Sequence, residues 1–191
     1  MILTNGCGKK TPGKASSMNN NTYVHKYIKG LIHEDDVCAD MTAGNGFDTL
    51  FLASLAKKVY AFDISETAIR NTREKTRDCG NVILICDDHA NLDSHIKEKI
   101  RLFLFNLGYL PHSDMTSVTD KDTTLTAFRK AYDLLEDNGY IVITFYLRHP
   151  GGRDEYYALD RYIRTKKADI IDIYRQDKKD SPITYIIKKS V

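Results

Sequence analysis

Residues 40–53, DMTAGNGFDTLFLA, join an apolar run to a helical one through Gly44-x-Gly46. A turn of this kind brings backbone amides up against a small polar ligand. Two further motifs share its place at the carboxyl end of an apolar run. Asp63 closes KVYAFD, where a carboxylate accepts the hydroxyls of a ribose, and Asp87-Asp88-His89 follows NVILIC, where an adenine edge would lie. Asp87 and Asp88 serve equally well, on sequence alone, as caps of the next helix. A nicotinamide fingerprint carries a third glycine, and Thr49 stands there instead; the Gly-Lys-Ser/Thr of a phosphate loop is missing. Glycine-rich, acidic and acidic-polar ends on three successive strands suit an adenosine without a pyrophosphate. S-adenosylmethionine is such a molecule. Its amino-acid portion would lie over the turn from Asp40 to Gly46, amides meeting its carboxylate and Asp40 facing its ammonium. Cofactor contacts are expected from Asp40, Thr42, Ala43, Gly44, Asn45, Gly46, Asp48, Thr49, Asp63, Ile64, Asp87, Asp88, His89 and Asn106.

A second set of candidates begins at FNLGYLP, residues 105–111. The side-chain amide of Asn106 and the backbone of Leu107 and Gly108 can accept hydrogens from a target nitrogen and aim its lone pair at a methyl group. Tyr109 would lie against the substrate. The plainer reading is that Asn106 ends a strand and Tyr109 packs. In RHPGGRDE, His149 is either the base that takes the amine's proton or a residue that orients its loop, and both roles stand open. Gly151 and Gly152 permit a tight backbone loop, flanked by Arg148 and Arg153, whose guanidinium groups suit phosphate. His33, His95 and His112 have no partner at ligand spacing, so no metal site is expected.

These residues need strands to present them. VCADM, KVYAFDI, NVILICD, RLFLFNL and YIVITFYL are five apolar runs bounded by turn signals. Helical patterns separate them: TYVHKYIKGLI leads, a helix runs from the glycine turn to about Leu55, and Ser65 caps SETAIRNTREKTRD. A short helical stretch is expected near residues 90–99. TTLTAFRKAYDLLED reads as a helix ended by Asn138-Gly139, and GGRDEYYALDRYIRTKK as the last one. The final runs, ADIIDIYRQ and PITYIIKKS, have only DKKDS between them and predict an antiparallel pair. Strands alternating with helices predict parallel pairing with both faces covered. A seven-stranded, mostly parallel sheet with a C-terminal antiparallel hairpin is the pattern of Rossmann-like methyltransferases.

Bulk properties narrow the classes. With 191 residues, 42% of them hydrophobic, one core is expected: residues 1–19 as a flexible basic segment and 20–191 as a single domain. No stretch approaches the length of a membrane span, and no secretory signal is legible. Four cysteines without paired spacing fit a reducing cytoplasm. The net charge of +2 excludes nothing, but no acidic residue precedes Glu34, and Arg148, Arg153, Arg161, Arg164, Lys166 and Lys167 cluster late.

DMTAGNGFDTLFLA, the unit before Asp63, FNLGYLP, TTLTAF and HPGG-x-x-E together resemble the rRNA methylase family of small class I methyltransferases, from about His25 to the C-terminus. The resemblance implies S-adenosylmethionine as cofactor and tRNA as partner. Characterised bacterial members methylate the 5-aminomethyl group of the wobble uridine, so the anticodon stem-loop is the expected substrate. The chain departs from the pattern in its basic N-terminal extension and at Arg148, where related sequences often have glycine. A domain this small would widen its basic surface by forming a homodimer. A small-molecule amine methyltransferase and an rRNA methyltransferase of the same fold remain the alternatives.

Overall fold

The computed structural model describes residues 18–108, 120–165 and 168–190. The chain opens with α1 (Asn20–Ile28), β1 (Val37–Asp40), α2 (Phe47–Ala53), β2 (Lys58–Asp63), α3 (Glu66–Lys75) and β3 (Val82–Cys86). A 3-10 turn at His89–Asn91 leads into α4 (Leu92–His95), β4 (Ile100–Leu107), α5 (Lys121–Leu134) and β5 (Leu135–Phe145). The last elements are α6 (Gly152–Thr165), β6 (Asp169–Arg175) and β7 (Ile183–Lys188). One seven-stranded sheet results, in the order β3-β2-β1-β4-β5-β7-β6. The first five strands are parallel; β7 lies antiparallel between β5 and β6. This is the predicted seven-stranded α/β architecture with its antiparallel C-terminal hairpin.

Buried parallel strands are apolar on both faces, and β4 shows it. Phe103, Phe105 and Leu107 join one core with Phe128 of α5 and Leu159 and Ile163 of α6. Leu102 and Leu104 join the other, with Val24 and Ile28 of α1 and Leu52 of α2. Each such side chain, fully buried, contributes roughly 1.5–3 kcal/mol, so the sheet is clamped from both sides. Because β1 lies between β2 and β4, the chain turns in opposite directions on either side of it. The crevice at the carboxyl ends of β1 and β4 is therefore the switch point where open sheets take ligands.

Capping explains several boundaries. Asn19 accepts from Thr22 N and starts α1 before the predicted Thr22, while Ser65 caps α3 as expected by accepting from Ala68 N. Asn138-Gly139 does not end α5. That helix stops at Leu134, and Asn138 (φ 61°) and Gly139 sit in a bulge within β5. Asn138 N donates to Lys189 O and Lys189 N to Gly139 O, so pairing with the chain beyond β7 draws this dipeptide into the sheet. Residues 1–17 of the expected basic segment lie outside the described residues, whereas Met18 accepts through its carbonyl from Tyr174 and Gln176.

Candidate active site

The turn after β1 is fixed by carboxylates placed beneath it. Asp40 is fully buried and accepts from Thr42 N at 3.2 Å and from the Thr49 hydroxyl at 2.6 Å. Thr49 thus has its own reason to replace a third glycine: it hydrogen-bonds the strand's last residue. Burial, and then the charge of Asp48, push the Asp40 carboxyl up to about 7. Both of its oxygens are engaged inside the protein, so Asp40 shapes the turn from below. Asp63, at the end of β2, accepts from Gly44 N and Ser65 N, each at 2.9 Å. Ala43 N donates to Phe62 O, and Gly46 N to Ala43 O.

Gly44 and Gly46 take the positive φ values of 55° and 76°. A Cβ on Gly46 would fall 2.8 Å from the Cα of Thr72 on α3, closer than real contacts allow. Asn45 is held by Asn71 Nδ2, and Ile64 stands 62% exposed beside Asp63. The turn, Asp63 and Ile64 therefore line one end of the sheet, as the sequence predicts.

The third strand end is more local. Asp87 accepts from Asp88 N, Asn91 Nδ2 and His95 Nε2, and these bonds, the histidine's first, hold its carboxyl below the usual range. Asp88 caps the 3-10 turn through Ala90 N. The capping role is thus visible for Asp88, while Asp87 ties down side chains of the segment that follows it. His89 packs edge-on against Phe105, its Nε2 buried without a hydrogen-bond partner among the described residues, and burial lowers its pKa.

Across the switch point, Asn106 N donates to Thr42 Oγ1 at 2.9 Å, tying β4 to the turn. The side-chain Nδ2 of Asn106 donates to Asp48 Oδ2 at 2.8 Å, and Asp48 Oδ1 lies 2.5 Å from His25 Nε2. The His25 ring stacks on Phe51, centroids 3.8 Å apart. Leu107 O accepts from Tyr146 N, and the Tyr146 ring lies over Gly108, where an added Cβ would meet it at 3.4 Å. Burial and then Asp48 raise the Tyr146 hydroxyl above its ordinary pKa. Tyr109 lies outside the described residues.

Sequence reading missed His25 and Tyr146. Neither carries a motif, and His25 is 23 residues from the carboxylate it meets. The only sequence hint was its place beside the apolar face of the leading helix.

The loop after β5 bears on the two roles left open for His149. The side chain of His149 is wholly buried, Nδ1 against Pro150 O at 2.9 Å and Nε2 3.7 Å from the buried Glu155, which accepts from Thr124. Of its two proposed roles, loop orientation matches this geometry; a base must reach its substrate. A Cβ on Gly152 would meet Tyr146 O at 2.6 Å and His149 Nε2 at 2.7 Å. Gly151, at φ 82°, has open space around it. Arg148 reaches Lys179 O and Arg153 pairs with Asp180 at 2.8 Å, both on the surface. Among the described residues no group of His, Cys, Asp or Glu could hold a metal, and no helix is long and apolar enough to cross a membrane.

The rRNA methylase family model matches residues 59–188. The chain is 31% identical over 157 residues to the chloroplastic tRNA (mnm(5)s(2)U34)-methyltransferase of Arabidopsis thaliana. That alignment covers 73% of this chain and 57% of the plant protein, so the chain spans just over half the length of this curated relative. A Streptococcus mutans protein solved in complex with SAH is 34% identical, superposes with a TM-score of 0.80 and is matched over 91% of this chain and 99% of its own. An rRNA methylase from Streptococcus thermophilus is 31% identical, with a TM-score of 0.75 over 93% of this chain and all of its own.

Proposed function

The chain belongs to the rRNA methylase family of class I methyltransferases, and from that premise we propose that it uses S-adenosylmethionine to methylate the amine of 5-aminomethyl-(2-thio)uridine at the wobble position of tRNA. The observation that carries this reading is Asn106. Its amide stands at the carboxyl end of β4, beside the glycine turn, with its NH2 committed to Asp48. The end left for a ligand is a carbonyl oxygen, the group that accepts a hydrogen from an amine. The plant relative named for the same tRNA position supports the substrate class.

S-adenosylmethionine, when bound, would supply an activated methyl group to the amine's lone pair, leaving as the neutral thioether, and the nitrogen's proton would pass to water. The leaving group is already good. Alignment is then the protein's main contribution, and well-oriented reactants gain roughly 7–11 kcal/mol this way. The turn over Asp40 would hold the cofactor's amino-acid portion, Asp63 its ribose, and Ile64 and His89 its adenine. The Gly151-Gly152 loop, oriented by His149, would approach the RNA backbone, with Arg148 and Arg153 on phosphates. A cytoplasmic site of action agrees with the free thiols that Cys38, Cys79 and Cys86 carry among the described residues.

The test is single-turnover transfer of labelled methyl to tRNA carrying 5-aminomethyl-uridine, followed by mass spectrometry of the nucleosides. Methylated wobble uridine is the expected product, and Asn106→Ala should lower the rate by on the order of 100-fold. Methylation of rRNA or of free amines with none on this tRNA would overturn the substrate, and an unchanged rate in Asn106→Ala would overturn the site.

A further inference from the structure

We infer that Asp48, backed by His25, is a positioning residue that decides which end of the Asn106 amide faces the substrate. The inference rests on the reading of Asn106 as the acceptor for the target amine. An asparagine amide is nearly symmetric in shape, and its two ends have opposite hydrogen-bonding character: the oxygen accepts, the nitrogen donates. With the nitrogen outward, Asn106 would present N–H groups to an amine and would not draw its lone pair into line. Something must forbid that rotamer.

Asp48 supplies the prohibition. Its carboxylate only accepts, so the Asn106 atom 2.8 Å from Oδ2 is the NH2 nitrogen, and the oxygen is turned the other way. The flipped amide would set two oxygens against each other in a half-buried site. The second carboxylate oxygen is held 2.5 Å from His25 Nε2, and the His25 ring is itself held by stacking on Phe51. His25 is in turn placed by the anchoring of α1. Asn20 Nδ2 donates to Thr144, Thr184 donates to Asn20 Oδ1, and the Tyr23 hydroxyl donates to Asp172 while its ring stacks on Tyr174. The groups that face Asp48 are thus His25, Asn106, Asp40 and Tyr146. Among these His25 is the one basic side chain, and a hydrogen donated from its Nε2 keeps Asp48 an acceptor toward Asn106. On sequence alone Asp48 reads as a cofactor contact; its hydrogen bond joins it to the Asn106 amide instead.

The experiment is a double-mutant cycle in single-turnover methylation of aminomethyl-uridine tRNA, with cofactor affinity measured by calorimetry on each variant. Asp48→Asn keeps the shape and lets the Asn106 amide flip. It should slow methyl transfer on the order of 100-fold while leaving S-adenosylmethionine affinity and the tRNA KM near wild type. In the Asn106→Ala background the same substitution should cost nothing more, because its target is gone. His25→Gln, which retains a donor without the ring, should cost about tenfold, the equivalent of one hydrogen bond. An additive loss in the double mutant, or a Kd for S-adenosylmethionine that rises in step with the lost rate, would overturn the inference. An Asn106→Ala variant that methylates at the wild-type rate would instead remove the active-site reading on which it stands. Asp48→Glu gives an independent check, since its longer carboxylate still forbids the flip and should recover part of the rate.

Discussion

The turn from Asp40 to Gly46 and the loop from Tyr146 to Arg153 end strands at the same edge of the sheet, yet they are held in opposite ways. Beneath the turn lie two carboxylates, Asp40 and Asp63, whose oxygens collect Thr42 N, Thr49 Oγ1, Gly44 N and Ser65 N. The loop has one buried prop, His149 beside Glu155, and its charged groups lie outside: Arg148 on Lys179 O and Arg153 on Asp180. The difference is one of exchangeability. Hydrogen bonds that are buried, as from Thr49, or half-buried, as from Thr42, Gly44 and Ser65, hold the turn in one shape, as a cradle for a small ligand would require. Surface ion pairs worth about 0–1 kcal/mol can be given up for phosphates at little cost. On the proposed function, one region would fit its ligand and the other would trade partners.

The glycines give the strongest way to break that comparison. Gly46→Ala places a Cβ 2.8 Å from the backbone of Thr72 at φ 76°, and Gly152→Ala places one 2.6 Å from Tyr146 O. Each should cost about 3 kcal/mol of stability by urea denaturation, since backbone must move in both cases. Gly151→Ala, strained at φ 82° but unobstructed, should cost about 1 kcal/mol. The losses of function should then diverge. Gly46→Ala should lose S-adenosylmethionine binding, while Gly152→Ala should keep it and lose methylation of tRNA. Equal loss of cofactor affinity in both would show that the two regions form one unit.

Asp40 sharpens the contrast through pH. Its carboxyl is raised to about 7, by burial first and by Asp48 next, with Asp63 adding and the bonds from Thr49 and Thr42 opposing. Between the ordinary carboxylate pKa and about 7 the folded chain holds a proton that the unfolded chain has lost. The fold is therefore favoured on the acid side, and this contribution disappears as pH rises through the folded value. A shift of about three units corresponds to at most about 4 kcal/mol. Thermal melts from pH 5 to 8 should show wild type losing stability as pH rises, relative to Asp40→Asn. A cationic ligand group near Asp40 would pull the proton off, so S-adenosylmethionine should bind more tightly at pH 8 than at pH 6 and release a proton. A pH-independent affinity would mean that the ammonium lies elsewhere.

The strands, the antiparallel hairpin and the glycine turn were legible because each is written in a contiguous stretch: an apolar run, a short polar link, a G-x-G. Ser65 was legible as a cap for the same reason. The contacts that join His25, Asp48 and Asn106 were not, although Asn106 and Asp48 each stood out in a motif of its own. His25, Asp48 and Asn106 come from three distant segments, and only the fold makes them neighbours. Asn138-Gly139 misled in the opposite direction. A glycine after a helical run ordinarily ends the helix, but pairing with Lys189 outweighed that local preference. His149, whose motif left a base and a loop-orienting role equally open, is buried, and the glycines beside it let the loop fold over its ring.

The smallest expected effect on the fold is at Arg153, and it tests the trading half of the comparison. Its side chain is 61% exposed and its partner is the single carboxylate of Asp180 in the turn between β6 and β7. Arg153→Ala should leave the melting temperature within a degree or two, since an exposed pair contributes about 0–1 kcal/mol. If the guanidinium exchanges Asp180 for an RNA phosphate, tRNA affinity should fall at low salt, and the slope of log Kd against log salt should drop by about one. Arg153→Lys should keep most of the slope, because the charge remains, and lose part of the affinity, because an ammonium cannot make the two-pronged contact. Asp180→Ala works in reverse. It frees Arg153 and should tighten tRNA binding slightly while leaving cofactor affinity alone. If Arg153→Ala leaves the salt slope unchanged, the arginine is a tether for the hairpin, and the phosphate contacts must come from elsewhere on the basic surface.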